Sequence, residues 1–260
     1  MKKLAMHPLL LAASLLLTSA PALSEVSDST QPRPALRLVE LFTSHGCSSC
    51  PPADRLLGRM LEEDPALMAL EYHVDYWDSL VHGSDGSWKD PFSNPEYTER
   101  QQAYQAAGLA GRNGVYTPQM IVNGRFAAVG SDTRRVRQAL QQTVPAQLRI
   151  DMETLPSAGN GPEELSITID ADDAPQAALQ GATVSLVRYI DSASTSITGG
   201  ENNRKQLVNH HIVFDVTSLG SAAGQTPLHY RVAAPAAGEG CVVMVQDVTL
   251  NPLLAAAQCP

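Results

Sequence analysis

Apolar residues along the chain fall into short blocks separated by polar punctuation. Residues 36–43 are mostly apolar and of strand length, which predicts a buried strand that Gly46 ends. Pro51 and Pro52 follow Cys47-Ser48-Ser49-Cys50. Proline fits a first helical turn, where its missing N–H costs nothing, so a helix is expected from the cysteines to residue 60. Residues 67–74 read as a second strand, and residues 75–92 as a loop rich in Asp, Gly and Ser. Asn94-Pro95-Glu96 is a helix start, with Asn as cap, and Gly108 stops that helix. Residues 119–122 and 125–129 read as short strands joined by Asn123-Gly124, a favoured hairpin pair. Ser131 is expected to cap a helix through residue 142. The order is β-α-β-α-β-β-α. Long helical connections put the first strands in parallel, and the hairpin adds an antiparallel one.

From residue 147 the period changes to alternation, as in Leu148-Ile150-Met152 and Leu165-Ile167-Ile169. Further strands are expected at 184–190, 207–216, 228–232 and 242–245, with turn residues between them. The expected fold class is therefore α/β: a βαβαββα domain over residues 36–145, then a small, mostly-β, sandwich-like domain over 146–260.

The N-terminus departs from both patterns. Residues 1–24 combine Lys2 and Lys3, an apolar run at 9–17 and small residues at Ala20 and Ala22, the features of a cleaved signal peptide. The run is too short to cross about 30 Å of hydrocarbon. Residues 25–35 read as a linker, and the expected location is the periplasm or outside the cell. With 18 Lys and Arg against 27 Asp and Glu, the net charge is −9, which argues against a nucleic-acid partner. Four cysteines are too few for a disulfide-framework fold, but in an oxidising compartment they are expected to be paired or redox-active.

Disulfide exchange needs an attacking thiolate and a second thiol near enough to resolve the mixed disulfide. Two cysteines separated by two residues at a helix start meet that need, and the helix end favours the thiolate. Cys47 is expected to attack from an accessible position and Cys50 to resolve.

The stretch from 36 to 142 resembles the thioredoxin-like superfamily. The string from Val39 to Leu57, with His73-Val74-Asp75-Tyr76-Trp77-Asp78, Trp88-Lys89-Asp90-Pro91-Phe92 and Val115-Tyr116-Thr117-Pro118-Gln119, more narrowly resembles the secreted domain-of-unknown-function family 1223. The resemblance implies a thioredoxin-like fold, with a cis bond before Pro118 and Thr117 presenting its backbone to an extended client. It implies little about substrate. Two features depart from thioredoxins. Ser48-Ser49 lies between the cysteines. Leu41 stands where a buried acid is usual, and Glu40 is one residue off, on the other strand face.

His45 is a candidate to favour the thiolate, or else a loop histidine. His73 and Asp75 end the second strand, where open α/β sheets place ligands; the alternative is a structural pair. Trp77, Trp88 and Tyr116 are candidates to wall a peptide groove, or else pack a loop. His210 and His211 point to opposite faces, against a joint metal site. Cys241 and Cys259 are expected to form a structural disulfide, worth ~3 kcal/mol in the chain-entropy model. No cofactor and no metal ligand is assigned. Three functions stay open: a thiol–disulfide oxidoreductase acting on protein thiols or disulfides with a redox partner; a Cu(I)- or Zn-binding metallochaperone using Cys47, Cys50 and His45 or His73; and a non-catalytic binding module with a structural Cys47–Cys50 bond.

Overall fold

The computed structural model describes residues 35–80, 88–109, 114–157, 161–171, 180–223, 226–247 and 252–260. The expected signal peptide and nearly all of the linker lie outside the described residues. Among the described residues, no helix is long and apolar enough to cross a membrane.

The first half follows the expected order. Strand β1 (Leu38–Thr43) leads to α1 (Pro51–Glu63), β2 (Met68–His73), α2 (Tyr76–Leu80), α3 (Pro95–Ala106), β3 (Gln119–Val122), β4 (Phe126–Val129) and α4 (Thr133–Leu140). The short α2 lies where a loop was expected. Asn94 caps α3 by accepting the Glu96 N–H. α4 is capped by Asp132, which accepts the Arg135 N–H, and not by Ser131. Asn123 and Gly124 have φ of 51° and 61°, the left-handed pair that a two-residue hairpin turn requires. Strands β1 and β2 pair in parallel, β3 runs antiparallel to β1, and β4 to β3.

The second half is mostly β, with β5 (Arg149–Leu155), β6 (Glu164–Asp170), β7 (Gln180–Ser196), β8 (Gln206–Ala223), β9 (Leu228–Ala233), β10 (Glu239–Gln246) and β11 (Leu253–Gln258). Strands β7, β8, β10 and β11 continue the first sheet across the change in texture at residue 147. Through Glu71↔Ile212, β8 pairs with β2, giving one eight-stranded sheet in the order β11-β10-β7-β8-β2-β1-β3-β4. Strands β5, β6 and β9 form a second, three-stranded sheet.

Alternation along β1 explains the layering. Val39 and Leu41 pack with Leu56 and Leu57 of α1 and Val136 of α4. Leu38 and Phe42 face the other way, into a core with Tyr97 and Tyr104 of α3 that runs on to Ile167 of β6 and Val243 of β10. Strands β7 and β8 form a ribbon that pairs as far as Ser196↔Gln206, and its tip spans residues 197–205.

Candidate functional site

The cysteine turn sits between β1 and α1. Cys50 occupies the helix N-cap, with the Ala53 N–H donating to its carbonyl at 2.8 Å and Pro51 and Pro52 in the first turn. Cys47 and Cys50 are disulfide-bonded, with Cα atoms 5.4 Å apart. Ser48 and Ser49 are exposed. Contrary to expectation, Cys47 is not accessible: both cysteines are 0% exposed.

The cover comes from the C-terminal half. Asn202, in the β7–β8 tip, donates its Nδ2 to the His45 carbonyl at 2.9 Å and the Cys47 carbonyl at 2.8 Å. Glu201 accepts the Ser48 N–H at 3.0 Å, and Ser48 lowers its carboxyl pKa, first through the side-chain hydroxyl and then through this N–H. Lys205 Nζ donates to Asn202 Oδ1 at 2.8 Å, orienting that amide. The tip is rooted by Ile197 and Leu207, packed on Trp88 with Trp77 alongside. Gly199 lies so close to Trp88 that an added Cβ would sit 2.6 Å from its ring.

Behind the turn lies a buried polar cluster built from both halves. Asp90 Oδ2 accepts the His45 backbone N–H at 2.7 Å and His73 Nδ1–H at 2.8 Å. His73 Nε2 lies 3.3 Å from Glu71 Oε1. Asn209 of β8 donates to Glu71 and faces His45 Nε2 at 2.8 Å. All five residues are fully buried. Burial opposes charge on His73, yet Asp90 and Glu71 together hold its pKa up to about 10. Asp90 is held well below the usual carboxylate range against its burial, chiefly by His73. His45 is lowered by burial and by His73, so at pH 7 it is neutral and not the imidazolium that would favour a thiolate.

Asp54 completes the region. It lies four residues after Cys50 on the buried stripe of α1, and i,i+4 side chains are neighbours on one helix face. Thr43 Oγ1 donates to Asp54 Oδ1 at 2.7 Å. Burial, then Glu71, pushes the Asp54 carboxyl well above its ordinary value, so this acid is poised to hold or take a proton.

The other candidates divide. The Thr117–Pro118 bond is cis, and Trp77 Nε1–H donates to Thr117 Oγ1 at 2.8 Å. The Tyr116 carbonyl accepts from Gln101 Nε2 at 2.8 Å, which fixes the approach to that loop. Asp75 is tied to α3 instead: its carboxylate accepts from the Thr98 hydroxyl and its backbone N–H donates to Thr98 Oγ1. Glu40 faces the opposite side of the sheet from Thr43, because strand side chains alternate. There it pairs with Arg100 Nε at 2.7 Å and with the Tyr104 hydroxyl, away from the cysteines. Cys241 and Cys259 are bonded, tying β11 to β10, and the Cys259 N–H also donates to the Cys241 carbonyl at 2.9 Å.

Sequence reasoning missed Asp54, Glu71, Asp90, Asn202 and Asn209. Glu71 had a signal, a charge inside the strand-length run Met-Ala-Leu-Glu-Tyr-His. So did Asp54, a carboxylate on the apolar stripe of α1. Nothing local marks Asn202 as the cover of Cys47.

A crystal structure of a protein from Agrobacterium tumefaciens is similar to this chain at 30% identity, covering 87% of this chain and 95% of that one, with a TM-score of 0.64. HBP35 of Porphyromonas gingivalis is similar in fold, with a TM-score of 0.54 and 11% identity over 88% of this chain and 75% of its own. No curated protein sequence matches the chain. Residues 38–246 match the model of the family described as protein of unknown function (DUF1223), and the chain belongs to that family.

Proposed function

We propose that the protein is a periplasmic or secreted thiol–disulfide exchange protein, acting through Cys47 and Cys50 on the thiols or disulfides of a protein partner. The observation that supports this best is the cysteine pair at the first turn of α1 with the buried carboxyl of Asp54 one turn behind Cys50. The thioredoxin-like reading of residues 36–145 is supported by the strand order β2-β1-β3-β4 with α1 and α3 as crossovers.

In the reduced protein, the Cys47 thiolate attacks one sulfur of a client disulfide. A Cys47–client bond forms and the other client sulfur leaves as a thiolate. Cys50 gives its proton to Asp54 and attacks Cys47 Sγ, which restores Cys47–Cys50 and releases the second client thiolate. The client gains two electrons and the protein loses two. The reverse sequence oxidises a dithiol. Partial charges at the start of α1 favour the Cys47 thiolate.

One observation favours a rival reading, a binding module with a structural disulfide: the pair is fully buried under the β7–β8 tip. Exchange therefore requires the tip to lift. The test is a Cys50→Ala variant of the mature protein, reduced and mixed with a disulfide-bonded peptide. A stable mixed disulfide at Cys47 supports exchange, and its absence assigns the bond a structural role.

A further inference from the structure

Two buried ring nitrogens of the polar cluster, His45 Nδ1 and His73 Nε2, have no hydrogen-bond partner. Leaving a buried polar atom unpaired is costly; the ion pair with Glu71 Oε1 at 3.3 Å compensates His73 Nε2, so His45 Nδ1 is the atom that calls for a partner. For His45 the neighbours fix the tautomer. The Asn209 amide donates to Glu71, which turns its Oδ1 toward His45 Nε2 at 2.8 Å. His45 Nε2 is then the donor, and Nδ1 presents a lone pair, an assignment that follows from the network. Asp90 Oδ1, also an acceptor, lies 3.4 Å from that nitrogen. Two acceptors this close in a sealed interior are reconciled by a cation between them or by a proton on Nδ1.

The spacing suits a metal. Two ligands each at about 2.0–2.1 Å from a tetrahedral zinc ion stand about 3.4 Å apart. Donor atoms of His45, His73 and Asp90 all lie within 4.8 Å of one another. We propose that His45, His73 and Asp90 form a binding site for one divalent transition-metal ion of the zinc class, distinct from the thiols of Cys47 and Cys50. Two imidazoles and a carboxylate suit Zn²⁺ better than Cu(I), which prefers thiolates. His45 Nδ1 and Asp90 Oδ1 already stand 3.4 Å apart, the separation of two ligands on one ion. His73 joins by giving up its proton, so binding releases protons. Asn209 on His45 Nε2, and Glu71 Oε1 at 3.3 Å from His73 Nε2, stand where outer partners orient ligating rings.

The test uses the mature protein with both disulfides intact, so that no thiolate is available. After chelator treatment it is equilibrated with ZnCl₂ over a long time course, because the site is sealed, and desalted for elemental analysis. CoCl₂ is loaded in parallel. One retained equivalent of zinc is expected, and the cobalt form should show the visible bands of a nitrogen- and oxygen-ligated tetrahedral ion without thiolate charge transfer. His45→Gln keeps a donor toward Asn209 and removes Nδ1. Since even outer partners are worth about 10- to 100-fold in metal affinity, this variant is expected to bind about 100-fold more weakly or worse. A Cys47→Ser, Cys50→Ser double variant should keep the metal. No retained metal in the disulfide-bonded protein would place a proton on Nδ1 and overturn the proposal. So would retention unchanged in His45→Gln, with the fold checked by circular dichroism, or thiolate charge transfer in the cobalt form. Because thiols take no part, failure here leaves the exchange reading standing, and the converse also holds.

Discussion

Replacing Asn202 with Ala removes the two hydrogen bonds that hold the β7–β8 tip on the carbonyls of His45 and Cys47, at 2.9 and 2.8 Å. Asn202 is fully buried. A typical hydrogen bond contributes a net ~1 kcal/mol, so the closed tip loses about 2 kcal/mol. The carbonyls left without a donor add to this, since a buried acceptor without a partner costs a further ~1–3 kcal/mol. If Cys47 reacts only when the tip is lifted, its rate scales with the open fraction. At a factor of ten per 1.36 kcal/mol, a shift of about 2 kcal/mol raises the rate about 30-fold. The assay is reduction of Cys47–Cys50 by a dilute dithiol, quenched by alkylation and read by mass spectrometry at each cysteine. The Cys241–Cys259 bond serves as the internal control. Urea unfolding should lose about the same 2 kcal/mol, since these bonds are absent from the unfolded chain too, while the circular dichroism spectrum stays unchanged because the main hydrophobic root of the tip, Trp88 with Ile197 and Leu207, is untouched. An unchanged reduction rate in a well-folded Asn202→Ala protein would refute the reasoning, since Cys47 would then be reached by a route that the tip does not control.

Other predictions follow from the cluster and the tail. Asp54→Asn keeps the side-chain size but accepts no proton from Cys50; the mixed disulfide should resolve about 100-fold more slowly, as expected for lost general-base catalysis, while Cys47 attack is unchanged. Stopped-flow detection of an unaltered mixed-disulfide lifetime would remove Asp54 from the mechanism. The folded pKa of His73, about 10, lies above its ordinary 6.5. Its charge therefore stabilises the fold fully below pH 6.5, and this contribution is lost as pH rises toward 10. In chelator-treated protein the urea midpoint should fall across that interval, and a His73→Gln variant should lack this component of the decline. Replacing Cys241 and Cys259 together with Ser should cost ~3 kcal/mol and lower the melting temperature by about 6–12 °C, at about 2–4 °C per kcal/mol for a chain of this size. Calorimetry showing no loss would mean that pairing of β11 with β10 alone holds the tail.

The order of elements from β1 to α4 was legible because its signals are local: Pro51 and Pro52 at a helix start, Asn94-Pro95 at another, and Asn123-Gly124 at a hairpin. Sequence alternation along β1 also placed Glu40 on the face opposite Leu41. What the sequence hid was long-range. The pairing of β8 with β2 rests on the contact Glu71↔Ile212, which no periodicity specifies. Strands β7 and β8 outrun their apolar cores because residues such as Ser192, Ser194 and Gln206 pair in a ribbon that extends past the sheet. β11 ends in an alanine run of low strand propensity and is fixed instead by its pairing with β10 and the Cys241–Cys259 bond. Cys47 and Cys50 were readable as a pair, but their burial was not. The cover on the Cys47 side includes Glu201 and Asn202, in a polar stretch that reads as an ordinary turn until the ribbon brings it to the cysteine turn.

The most direct test of the exchange mechanism is the reduction equilibrium of the Cys47–Cys50 bond. Protein lacking residues 1–24 is equilibrated in buffers of graded thiol–disulfide ratio, with time allowed for the tip to open, and each bond is scored by alkylation and mass mapping. Exchange proteins poise their active pairs between about −270 and −120 mV, whereas structural bonds in secreted proteins fall below about −300 mV. If the pair is an exchange site, Cys47–Cys50 opens within the first interval while Cys241–Cys259 stays closed. Reduction of both bonds only below about −300 mV would make Cys47–Cys50 a structural staple and contradict the assignment.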